Sequence, residues 1–128
     1  MKQQNFSIIK RLNSFKYAFN GLKILINEEH NSRIHLLATI CVVIAGFVFK
    51  ISKFDWIAVI FVIGFVFSIE IINSVIEKIA DYISPDIHEK IKKIKDLSAA
   101  GVLISTTTAL IIGLIVFIPK IIDLLIVI

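Results

Sequence analysis

The sequence predicts an all-α membrane protein: three transmembrane helices behind an N-terminal amphipathic surface helix. Three observations carry this. Hydrophobic residues make up 57% of the 128, against roughly 45–50% in ordinary soluble domains. They concentrate in three blocks long enough to cross, or nearly cross, a hydrocarbon core. The basic residues lie outside those blocks. One domain, 1–128, is the natural count for this length. The net charge of +4 suits anionic lipid headgroups, and no nucleic-acid partner is expected. The single cysteine, Cys41, falls mid-span and cannot form an intrachain disulfide. Met1 to Arg33 contains no long apolar run with a small-residue cleavage site, so an internal span is expected to direct insertion.

The surface helix is expected over 6–26. Phe6, Ile9, Leu12, Phe15, Phe19, Leu22 and Ile26 recur at helical spacing, with Lys10, Arg11, Lys16 and Lys23 between them. Basic residues opposite aromatic and aliphatic ones mark a helix lying in the membrane interface. Asn20-Gly21 is a place for a bend, and 27–33 is a polar break. The first span is expected over 34–50. Its uncharged stretch Ile34–Phe49, with His35 neutral, reaches about 24 Å, a little short of a ~30 Å core. Arg33 and Lys50 can snorkel at its ends. Lys50 to Asp55 reads as a tight hairpin loop. The second span is expected over 54–83, entering at Phe54 and Trp56 and ending at Ser84-Pro85, because proline disfavours helical backbone at the residue before it. The third is expected over 97–118, with Pro119-Lys120 marking its far end.

Basic residues set the orientation. Six precede the first span, two lie in the first loop, five in 78–96, and one follows the third span. The positive-inside rule then puts the N-terminus and the 78–96 connection in the cytoplasm.

The stretch Glu70-Ile-Ile-Asn-Ser-Val-Ile-Glu-Lys-Ile-Ala-Asp81 continues the second span without a turn signal. At helical spacing Glu70, Asn73, Ser74, Glu77 and Asp81 share a stripe about 100° wide. Ionisable groups at membrane depth mark a site or pathway by default. The sequence has no Walker A loop and no zinc-spaced Cys/His cluster. It does hold hard oxygen donors near an interface: Glu29, Glu70, Glu77, Asp81 and Asp96. Such carboxylates suit Mg²⁺ on phosphate oxygens. With Lys95 beside Asp96, they form a kit for phosphoryl transfer. From the residues alone, a cation pathway or a non-catalytic scaffold stays open. Three spans bury too little to enclose a wet stripe, so neighbouring chains are expected to cover it.

The stripe, His88-Glu89, Lys95-Asp96 with Ala99-Ala100, and upstream Phe15 to Leu22 with Glu29 and Arg33, resemble the bacterial diacylglycerol kinase/undecaprenol kinase family over nearly the whole chain. The resemblance implies a homotrimeric lipid kinase that uses ATP and Mg²⁺ on a membrane lipid. It implies Glu70 as catalytic base, and Glu29 and Glu77 as metal-binding carboxylates that also hold nucleotide. Tyr17, Asp86, His88, Lys95 and Asp96 match nucleotide-binding positions. Asn73, Asp81, Arg33 and Ala99 match supporting positions. Where the family often has an N-terminal arginine, this chain has Lys10 followed by Arg11. Glu29 is favoured over Glu28 by its spacing to Arg33. Arg33-Ile34-His35-Leu36 is similar to the branch that phosphorylates undecaprenol, which leans the acceptor from diacylglycerol toward undecaprenol. His35 itself reads as a span-end residue with one hydrogen bond, Trp56 as an interface anchor, and Ser105–Thr108 as helix–helix glue.

Overall fold

The computed structural model describes residues 7–86 and 88–128. Among them the chain is all helical, with four helices. The first, α1, is Ile8–Glu28, so Phe6 of the expected surface helix lies outside the described residues. Ser7 caps it by accepting from the Lys10 N–H. It runs unbroken through Asn20-Gly21. The expected polar break at 27–33 shrinks to one extended residue, Glu29, before α2, His30–Val48. Arg33 explains so short a junction. Its Nε donates to the Ile26 carbonyl at 2.7 Å, and its second guanidinium arm donates to the Asn27 carbonyl. Carbonyls in the last turn of a helix have no intrahelical partner, and Arg33 supplies one.

α2 ends in a Schellman turn. Ile51 N–H donates to the Gly46 carbonyl and Lys50 N–H to that of Phe47. Lys50 sits at φ 50°, the left-handed position that glycine usually takes. Ser52 then opens α3, Lys53–Ile83, with a reciprocal capping box to Asp55. At 31 residues α3 is about 46 Å long, well beyond a ~30 Å core. It is about 16 Å longer than such a core requires, roughly a third of its length. It stops at Ser84, extended ahead of Pro85, as expected.

α4, Glu89–Val127, starts on His88, whose Nδ1 accepts from the Lys90 N–H. The helix runs on past the expected far end of the third span, with Pro119 inside it. The Ile121–Ile128 tail is almost wholly apolar. Unpaired backbone is most costly in such surroundings, so continuing the helix past one missing N–H is the better solution. α2, α3 and α4 are each long and apolar enough to cross a membrane. Their many exposed Ile, Leu and Phe side chains suit lipid or neighbouring chains.

The core gathers at the α2–α3 turn. Ile51, Val59 and Val116 are buried there, with Val42, Phe49, Trp56, Ile63, Ile112 and Phe117 packed around them. Trp56 stacks obliquely on Phe47, ring centroids 4.9 Å apart. It does more than anchor an interface, because it closes over Gly46. A methyl group on Gly46 would lie 2.6 Å from Trp56 Cη2 and 3.2 Å from Ile51 Cδ1. Gly46→Ala is therefore expected to destabilise the fold by about 1–3 kcal/mol, the usual cost of overpacking. Thermal unfolding in detergent reads it, and an unchanged midpoint would show that the ring moves freely.

At the other end, Gly101 of α4 lies against α3. A Cβ on Gly101 would meet Ile69 Cγ2 at 3.8 Å. Three hydroxyls of the Ser105–Thr108 block bond within their own helix: Ser105 and Thr106 to the Val102 carbonyl, and Thr108 to that of Ile104.

Candidate active site

Glu70 is the pivot. Its position directly after an apolar run carries it into the packed part of α3, where the side chain is 5% exposed. A buried carboxylate needs donors. Ser32, 1% exposed, gives one: its hydroxyl donates to Glu70 Oε2 at 2.6 Å, a length typical of a charge-assisted bond. On the same face of α2, His35 Nε2 stands 3.0 Å from Oε1. That contact has the distance of an ion pair without the alignment of a hydrogen bond. Oε1 is therefore a buried acceptor with no hydrogen-bond partner among the described residues. A carboxylate oxygen held this way can accept a proton from an incoming hydroxyl.

The rest of the stripe divides into two rows. One faces the α1–α2 junction. Buried Ser74 donates to Glu29 Oε1 at 2.9 Å, and Lys78 donates to Glu28. The other faces α4, where Ser98 donates to Asn73 Oδ1 at 2.7 Å and Lys95 to Asp81. Glu77 is half-exposed and makes no hydrogen bond or ion pair with the described residues. The structure thus brings Glu29, Asn73, Asp81 and Lys95 onto the α3 stripe.

Other expected residues are not joined to the stripe. Asp96 points to Lys92 at 2.6 Å rather than to Lys95. His88 is occupied as a helix cap. Arg33 serves the end of α1 rather than Glu29. Tyr17 is 70% exposed on α1. Lys10 and Arg11 lie on its exposed first turns, and Asp86 and Ala99 are exposed as well. Among the described residues no cluster of three metal-ligating side chains forms. Ser32, Ser98 and the closeness of His35 to Glu70 were missed from the sequence. Ser32 and His35 lie three apart and so on one helix face, but that spacing does not say that the face meets Glu70.

Two cavities lie near the stripe, one along the α3 residues before Glu70 and one beside Ser74. One of about 310 Å³ has His35 at its edge and runs between α2, α3 and α4, with Val59, Val62 and Val66 in its wall. The other, about 510 Å³, lies between α1 and α3 beside Ser74 and Lys78.

The sequence profile of the family described as prokaryotic diacylglycerol kinase matches residues 16–117. The chain belongs to that family. Among its relatives is the undecaprenol kinase of Bacillus subtilis, 35% identical over 107 residues, which are 84% of this chain and 87% of that protein. A diacylglycerol kinase of Synechocystis is 26% identical over 88% of this chain and 65% of its own length. A diacylglycerol kinase of Helicobacter pylori is 36% identical over 69% of each chain. Family membership and three apolar helices make this a membrane enzyme of the lipid-kinase class.

Proposed function

We propose that the protein transfers the γ-phosphate of ATP to the hydroxyl of a membrane lipid at the α3 stripe, with Glu70 as general base. The observation that carries this is the buried Oε1 of Glu70 at the end of an apolar run, which accepts no hydrogen bond from the described residues. The lipid hydroxyl meets that oxygen and loses its proton to it. The hydroxyl oxygen bonds to the γ-phosphorus as the bond to the β–γ bridging oxygen breaks. The apolar cavity beside His35 offers hydrocarbon a place within reach of Glu70.

Glu29 and Glu77 fit Mg²⁺ as a pair. Mg²⁺ at kinase sites needs only one or two carboxylates besides phosphate oxygens and water. Ser74 steadies Glu29 against α3 one turn before Glu77, and Glu77 makes no hydrogen bond or ion pair with the described residues. Bound there, the metal would neutralise charge on the transferring phosphates. Tyr17, Asp86, His88, Lys95 and Asp96 complete the nucleotide site in this reading. Lys10, Arg11, Arg33, Asn73, Asp81 and Ala99 support it. The exposure of Tyr17 and Asp86 in one chain favours assembly, and a homotrimer is proposed, with α1 along the cytoplasmic face of the inner membrane.

Undecaprenol is the proposed acceptor, with diacylglycerol its competitor. The Arg33–Leu36 segment and the extensive likeness to the Bacillus undecaprenol kinase favour it. The test supplies both lipids in one bilayer with ATP labelled at the γ-phosphate, and the extracted lipids are separated. Label is expected mainly in undecaprenyl phosphate. Label mainly in phosphatidic acid would reverse the acceptor, and none in any lipid would end the kinase reading. Cross-linking the same preparation should give trimers. Only monomer, with full activity, would contradict the assembly.

A further inference from the structure

Glu70 has a difficulty that the proposed chemistry leaves open. Once it has taken the hydroxyl proton, it must lose it again before the next turnover, yet it is only 5% exposed. Ser32 cannot take the proton, because its hydroxyl is already a donor to Oε2. Nearby Asn73 is occupied with Ser98, and Ser74 with Glu29. The group at Oε1 is His35, with Nε2 3.0 Å away and the side chain 27% exposed. It is in contact with the buried oxygen and with the outside at once.

We propose that His35 takes the proton from Glu70 and passes it to solvent, resetting the base. The inference rests on Glu70 acting as general base. The proton moves from the lipid hydroxyl to Glu70 Oε1, and then from Oε1 to the lone pair of Nε2 on a neutral imidazole. That leaves the Glu70 carboxylate and a His35 imidazolium, which gives its proton to water. The cycle leaves His35 unchanged, and the net product is the one proton that phosphoryl transfer to an alcohol releases. Imidazole suits the task because it exchanges protons near neutral pH. Among the described residues its one ion-pair contact is Glu70. From α3 the titratable group against it is Glu70. The α4 residues that share its cavity include Thr106, Ala109 and Leu110, and none of them titrates. On α2, Arg33 is engaged with the carbonyls of Ile26 and Asn27. No hydrogen bond or ion pair from α1 reaches His35 among the described residues.

His35 acts through Glu70, so its test must separate proton transfer from positioning. His35→Gln keeps a polar side chain of similar reach, and His35→Ala opens a space for added imidazole. Label transfer is measured across pH in defined bilayers for wild type and both variants, with Mg·ATP affinity alongside. Both variants are expected to lose roughly tenfold or more in kcat near neutral pH. KM for lipid and nucleotide should change little, and the deficit should shrink as pH rises and hydroxide takes the proton instead. Added imidazole should restore part of the rate of His35→Ala. A His35→Gln enzyme with the wild-type rate and pH profile would overturn the proposal. So would a deficit that is constant with pH and indifferent to imidazole, because that is what lost positioning alone produces. If His35→Ala does not fold, the pH profile of His35→Gln decides. Failure of wild type to label any lipid would count against the kinase reading, whereas rates independent of His35 count against this inference alone.

Discussion

Glu70→Gln is expected to lower kcat by on the order of 10²-fold or more while leaving nucleotide affinity nearly intact. The amide keeps the shape of the carboxylate and can still accept from Ser32. It cannot take a proton from the lipid hydroxyl, and loss of a general base typically costs 10²–10⁴-fold. The fold should tolerate the change, because the buried site stays filled and loses a charge that few donors serve. Steady-state kinetics over both substrates check it. A fall confined to KM would mean that Glu70 binds substrate rather than reacting with it.

The second large effect falls two turns along α3. Glu70 and Glu77 are separated by about 10.5 Å along the axis and nearly share a meridian. One carboxylate cannot serve both the lipid hydroxyl and the metal at that separation. Glu77 makes no hydrogen bond or ion pair with the described residues, so Glu77→Gln breaks none of those. Its expected cost is functional: at least a tenfold rise in the Mg²⁺ needed for half-maximal rate, and lower turnover even when Mg²⁺ saturates. Disturbing even the partners of metal ligands costs 10–100-fold, and here a ligand itself is lost. A Mg²⁺ titration of initial rates reads both quantities. Glu29 is a poorer probe of the same idea, because its removal would also strand the buried Ser74 hydroxyl.

The stripe was legible in the sequence because helical period alone aligns Glu70, Asn73, Ser74, Glu77 and Asp81, whatever they face. What they face was not legible. Ser32 on Glu70 and Ser98 on Asn73 depend on which sides α2 and α4 turn toward α3, and sequence spacing within one helix is silent on that. His35 was read as a span-end residue for the same reason: its partner lies 35 positions away on another helix. Lys95 and Asp96 are neighbours in sequence, but successive helical residues point about 100° apart. One therefore reaches Asp81 on α3, and the other turns back along α4 to Lys92. The long helices were found from apolar length, yet two local breaker signals did not interrupt the helices they lie in. Asn20-Gly21 and Pro119 are breakers in water. Each was overridden where the surrounding chain is strongly helical or apolar.

The division of the stripe into a lipid end and a nucleotide end is the central claim. It is tested most directly by equilibrium binding of Mg·ATP to wild type, Glu70→Gln and Glu77→Gln in the same bilayer without acceptor lipid. Glu70→Gln is expected to bind Mg·ATP as wild type does, and Glu77→Gln to bind it at least tenfold more weakly. Lost binding in Glu70→Gln together with unchanged binding in Glu77→Gln would contradict the assignment and exchange the two ends.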